Sequence, residues 1–155
     1  MTDTTLDAAL ETPRTIESLN AEVQQFYARH MHLLDSGRAE EWARTFTEDA
    51  VFAPEHRPEP VVGRAALTAA VRAAYEGLVA AGEVRRHWHG MVAVEPQQDG
   101  SLHVRCYALI VGTTVGADPV LKMSCVCEDV LVRGQDGELK VRERRVTKDG
   151  VAAPR

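Results

Sequence analysis

The sequence predicts an α+β fold: three N-terminal helices, then a long, curved antiparallel sheet that wraps around them into a cone and encloses an apolar pocket. Two observations carry this reading. Up to about residue 81 the apolar residues recur at spacings of three and four, the period of a helix; beyond it they alternate with a period of two over four long runs. The connectors between those runs are short and carry Gly, Asp and Pro, so successive strands turn back on one another as a meander. With 155 residues, 45% hydrophobic and 26% charged, the chain has the size and balance of one globular domain that can bury its own core.

The elements follow in order. Residues 1–14 read as a flexible leader, acidic and polar, without the basic and apolar regions of a signal peptide. The domain is expected over 15–149, with 150–155 as a tail. Ile16, Leu19, Val23, Phe26, Tyr27, His30 and Leu34 draw one stripe on an amphipathic helix, which Asp35-Ser36-Gly37 interrupts. In a second, short helix Ala39, Trp42, Ala43 and Phe46 share a face. A short strand over 50–53 leads to a proline-rich loop over 54–60. The third helix, 64–81, presents Leu67, Ala70, Val71, Ala74 and Leu78, and Gly82 stands where a helix ends in a left-handed residue. The strands are expected over 84–95, 102–114, 120–133 and 139–147. They are longer than the usual five or six residues, which favours strong twist and curvature.

Composition removes several function classes. Acids outnumber bases 23 to 18, a net charge of −5, and aromatic residues are 5% of the chain. Neither suits a nucleic-acid binder, which needs cations for phosphates or stacking surface for bases. No apolar stretch reaches the length of a membrane span. Cys106, Cys125 and Cys127 form no Cys-x-x-Cys pair and read as reduced thiols buried in the strands of a cytoplasmic protein. The sequence has no GxGxxG, no GxxxxGK[ST], no GxSxG and no cysteine-rich zinc pattern, so no cofactor and no metal are expected.

The densest polar cluster is Arg85-Arg86-His87-Trp88-His89-Gly90, at the start of the first long strand. A period of two puts His87, His89 and Met91 on one side and Arg86, Trp88 and Gly90 on the other. The histidines can be a solvated or hydrogen-bonded pair, two ligands of a metal, or a general acid/base in a pocket. His30-x-His32 supplies no second metal pair, because helix positions two apart diverge by about 200°. Asp129 is a lone carboxylate on the stripe Leu121, Met123, Cys125, Cys127, Leu131. Once buried it needs a partner, either a histidine or one of Arg142, Arg144 and Arg145. Tyr107 and Tyr27 are each able to donate a hydrogen bond to a bound carbonyl, or to pack. Val126, Val130 and Val132 alternate with polar residues on the open sheet face, which is expected to bury itself in a homodimer.

Four passages resemble the nuclear transport factor 2-like superfamily, in its SnoaL-like and scytalone dehydratase-like branch. They are Leu34-Asp35-Ser36-Gly37 with the following Glu41-Trp42 to Val51-Phe52 segment, Val62-Gly63-Arg64-Ala65-Ala66-Leu67, Arg86-His87, and Cys127-Glu128-Asp129-Val130-Leu131-Val132-Arg133 before Asp136-Gly137. The resemblance covers residues 16–147 and implies the cone-shaped α+β fold. It also implies a cofactor-independent dehydratase or cyclase of lyase type, acting on an aromatic or polyketide-like intermediate of secondary metabolism. His87 matches the family's pocket histidine and would be the acid/base. Asp129 falls near a pocket Asn/Asp position and would orient it. Tyr107 or Tyr27 would polarise the substrate oxygen, and His30 sits where relatives place a cavity-facing tyrosine. Met31, Trp42, Phe46, Leu109 and Met123 would line the pocket. The alternative function within the same superfamily is a non-catalytic small-molecule binding protein or a β-type accessory subunit of an oxygenase.

Overall fold

A computed structural model describes residues 13–55 and 57–151. The leader expected over 1–14 therefore falls, up to residue 12, outside the described residues, as do residues 152–155 of the tail. The helices are Ile16–Asp35 (α1), Ala39–Ala43 (α2) and Arg64–Ala80 (α3); the strands are Phe46–Pro54 (β1), Val61–Val62 (β2), Glu83–Pro96 (β3), Leu102–Thr114 (β4), Val120–Arg133 (β5) and Leu139–Lys148 (β6).

Local chemistry explains where the helices begin and end. Thr15 caps α1, its hydroxyl oxygen accepting from the Ser18 N–H at 3.2 Å. Gly37, at φ +71°, turns the chain out of α1, and the Tyr75 ring of α3 packs where any side chain at that position would stand. Past α3, Gly82 takes φ +62° and its N–H donates to the Val79 carbonyl, the helix stop that the sequence predicts.

One curved, open sheet runs in the order β2-β1-β6-β5-β4-β3. Strands β3 to β6 form the expected antiparallel meander. Strand β1 is longer than its sequence pattern shows and lies parallel to β6, which makes the sheet mixed. Nothing local encodes that pairing, since α3 and all the other strands lie between the two partners in the sequence. The helices cover one face of the sheet. Between them Val23, Tyr27, Trp42, Phe46, Leu67, Leu131 and Val141 are buried in a single core.

Two irregularities re-aim side chains. The register of β3 on β4 shifts between Gly90 and Ala93, with Met91 at φ +53°. This bulge turns Met91 outward, to 79% exposure, whereas the sequence period places it beside His87 and His89. A second shift, opposite Ile110 and Val111, leaves Leu121 exposed instead of on the inner stripe with Met123 and Cys125. Among the described residues no helix is long and apolar enough to cross a membrane.

Candidate functional site

The end of α1, the second half of α3 and the first residues of β3 enclose a cavity of about 570 Å³. Asp35, Val71, Tyr75, Leu78, Arg85 and His87 are among its lining residues. Here α3 stands off the sheet: of its residues only Leu67 is fully buried, and its apolar stripe faces the cavity. A larger hollow of about 610 Å³ lies on the opposite, outward face of the sheet. It is lined by charged side chains such as Arg105 and Glu128, which pair with each other at 3.0 Å.

His87 enters the cavity wall from β3, and its partner is Asp35, the last residue of α1. The ring Nδ1 lies 2.7 Å from Asp35 Oδ1, and the backbone N–H of His87 donates to Oδ2 at 3.1 Å. Both carboxylate oxygens are thus tied to one residue, which fixes the imidazole plane. A carboxylate acceptor places the proton on Nδ1, so Nε2 carries the lone pair; it has no protein partner among the described residues. The side chains are 9% exposed for Asp35 and 23% for His87, so the pair is shielded but reachable. An acid on the last turn of a helix opposes the helix dipole, and the two hydrogen bonds from His87 offset that cost.

Deeper in the cone lies a separate, fully buried polar network. Arg144 of β6 holds Asp129 of β5 through two hydrogen bonds, Nε to Oδ1 at 2.8 Å and Nη2 to Oδ2 at 2.7 Å. The Tyr27 hydroxyl donates to the same Oδ2 at 2.8 Å. Arg144 Nη1 lies 2.8 Å from His30 Nε2. Guanidinium only donates, so Nε2 accepts and His30 carries its proton on Nδ1, which donates to Thr45 Oγ1 at 2.6 Å. Thr45 in turn donates to the Trp42 carbonyl at 2.5 Å. Every proton in this chain has one place. Burial alone would raise the Asp129 pKa, but the Arg144 charge and the hydrogen bonds from Arg144 and Tyr27 outweigh it and hold the carboxyl below its ordinary value. Burial, then the Arg144 charge, keep His30 neutral far below the usual imidazole range. Burial and the charge of Asp129 push the Tyr27 phenol well above its usual value.

A third cluster joins His89 to two thiols. His89 Nδ1 lies 3.6 Å from Cys106 Sγ, and the donor atoms of His89, Cys106 and Cys127 are all within 4.8 Å of one another. A hydrogen bond from Cys127, opposed by burial and assisted by His89, brings the Cys106 thiol down to about 6. The same interaction and burial raise Cys127.

The predicted site residues are therefore distributed differently from the sequence expectation. His87 is in the cavity wall. Asp129 does not orient it: of the two partners open to it, the arginine Arg144 is the one it has, because the register sets the two directly opposite. Tyr27 spends its hydroxyl on Asp129. Tyr107 and Leu109 stand on the outward sheet face, Tyr107 at 52% exposure, since alternation along β4 turns Cys106 and Ala108 inward instead. His30 is packed among the rings of Phe26, Trp42 and Phe46 and does not face the cavity. Met31, Trp42 and Phe46 are core, and Met123 packs at its edge; none lines the cavity. Sequence reasoning missed Asp35, Tyr75 and the His30–Arg144 contact. A signal for Asp35 existed: an acid is misplaced at a helix C-terminus unless something there holds it.

Residues 18–145 match the model of a family described as the SnoaL-like domain. Among solved structures, ActVI-ORFA from Streptomyces coelicolor is 36% identical over 88% of this chain and 99% of its own, with a TM-score of 0.82. A protein from Catenulispora acidiphila in complex with S-DNPA is 40% identical over 86% of this chain and 95% of its own, with a TM-score of 0.75. Aln2 from a Streptomyces species is 33% identical over 88% and 94% respectively, with a TM-score of 0.79. None of the curated proteins matches the chain.

Proposed function

The chain belongs to the SnoaL-like domain family, and on that premise we propose that it is a cofactor-independent dehydratase or cyclase that acts on an aromatic or polyketide-type intermediate by general acid–base catalysis at His87. The observation that carries this reading is the Asp35–His87 pair in the wall of the cavity. With Nδ1–H held by the carboxylate, Nε2 is the basic atom. It takes the proton from a carbon next to a carbonyl, and the electron pair of that C–H bond moves into the enolate. In a dehydration the enolate collapses to a double bond, the β C–O bond breaks, and Nε2–H returns the proton to the departing hydroxyl as water. In a ring closure the same carbon attacks a second carbonyl of the molecule, and the alkoxide formed takes the proton back. Asp35 stabilises the imidazolium in both. The Tyr75 hydroxyl and the Arg85 guanidinium are the donors at hand for the enolate oxygen, replacing the Tyr27 and Tyr107 of the sequence expectation. Val71 and Leu78 give the wall an apolar surface for a flat ring.

The complex of a 40% identical protein with S-DNPA supports a small-molecule ligand and supplies a probe. S-DNPA is expected to bind and to shift the NMR signals of the His87 and Tyr75 rings. A panel of hydroxylated polyketide-type compounds then tests turnover. His87→Gln is expected to lower kcat by about 10²- to 10⁴-fold while S-DNPA still binds. Turnover unchanged in His87→Gln would sink the reading. We further place the chain in the cytoplasm, supported by its three free, buried cysteines, and as a homodimer through the outward sheet face.

A further inference from the structure

We propose that His89 Nδ1, Cys106 Sγ and Cys127 Sγ form a binding site for a zinc ion, separate from the Asp35–His87 pair and independent of the reading built on it. The three residues come from three neighbouring strands. Cys106 of β4 and Cys127 of β5 are direct cross-strand partners, and His89 of β3 pairs with Ala108, two residues along β4 on the same face. All three side chains therefore leave the inner face of the sheet at one spot, held by backbone ladders and by no flexible loop.

The distances suit the ion. Zinc bonds of about 2.0–2.1 Å to nitrogen and 2.3 Å to sulfur, at tetrahedral angles, put the nitrogen and sulfur about 3.6 Å apart. His89 Nδ1 and Cys106 Sγ are 3.6 Å apart. Two sulfurs on the same ion would be about 3.8 Å apart, within the 4.8 Å that bounds every pair of donor atoms in the cluster. The Tyr27 ring meets the His89 ring edge-on at 5.0 Å and sets the plane in which Nδ1 points.

The donor set also chooses among metals. One imidazole and two thiolates are borderline-to-soft ligands, which exclude magnesium and calcium and match a zinc ion. Charge closes as well, with two thiolates neutralising the dication, and the adjoining Asp129 is already balanced by Arg144. Cys127 Sγ lies 3.4 Å from Asp129 Oδ1, and binding the ion leaves the Asp129–Arg144 pair in place.

The test is a titration of the reduced, metal-free full chain with cobalt(II) and then zinc(II). The expected result is one equivalent of cobalt bound, with the near-ultraviolet absorption of thiolate–cobalt bonds and the visible bands of a tetrahedral site, all bleached by one equivalent of zinc. His89→Ala and Cys127→Ser are each expected to weaken binding by about a hundredfold or more. Cys125→Ser, a buried thiol of the same strand outside the cluster, is expected to bind as wild type does. No thiolate–cobalt absorption in the wild-type chain overturns the proposal without recourse to any variant. So does absorption that survives in both His89→Ala and Cys127→Ser, and so does a Cys106–Cys127 disulfide in protein purified in the presence of zinc.

Discussion

His30 is a histidine whose titration is written into the stability of the protein. Its Nε2 must accept from Arg144 and its Nδ1 must donate, so the folded state holds it neutral, while the unfolded chain protonates it near pH 6.5. The folded pKa is depressed, so the stabilisation is complete above about pH 6.5 and is lost as pH falls, by up to about 1.4 kcal/mol per pH unit. Asp129, also depressed, adds a loss of the same sign only below about pH 3.9. Chemical denaturation from pH 7.5 to 4.5 is expected to show the first slope in wild type and a flatter one in His30→Gln, whose amide can accept from Arg144 and donate to Thr45 without titrating. Equal slopes would show that another group is responsible. That Asp129 needed a histidine or an arginine was legible from its place on an apolar stripe. That the partner is Arg144 was not, because a shift of one residue in the β5–β6 register offers Glu143 or Arg145 instead.

At the scale of elements, helix and strand positions were legible because each carries its own period and its own stop. The observed β4 and β5 span 102–114 and 120–133, as the alternation and the turn residues predict. The cavity was not legible, because it depends on how far α3 stands from β3, and no pattern within α3 states that distance. Gly37 is one determinant of it. The Tyr75 ring occupies the space a side chain would need there, and the backbone is left-handed. Gly37→Ala is expected to cost about 1–2 kcal/mol for the backbone conformation alone, and more as Tyr75 is pushed into the cavity. A thermal melt reads the first effect and the Tyr75 ring resonances the second; a melt and spectrum like wild type would show that the loop yields freely.

For the whole molecule, the outward sheet face is the surface that a lone chain leaves uncovered. Trp88 at 64% exposure stands beside Tyr107 and Val126 on that face. Such a cluster of large apolar groups favours cover by another surface. Sedimentation velocity is expected to show the proposed homodimer in wild type and a monomer in Trp88→Asp; a wild-type monomer, or a dimer untouched by the change, would remove this face as the interface. The parallel pairing of β1 with β6 has a consequence of another kind. As the chain leaves the ribosome, β1 waits for a partner that is made after every other strand of the sheet. Until β6 arrives, Asp129 lacks Arg144, His30 lacks its donor, and the core beneath α1 holds unsatisfied charge. The meander of β3 to β5 can pair early, but the polar interior closes only with the final strand. Folding is thereby tied to the synthesis of β6, and closing that long loop is the slow event to look for in refolding.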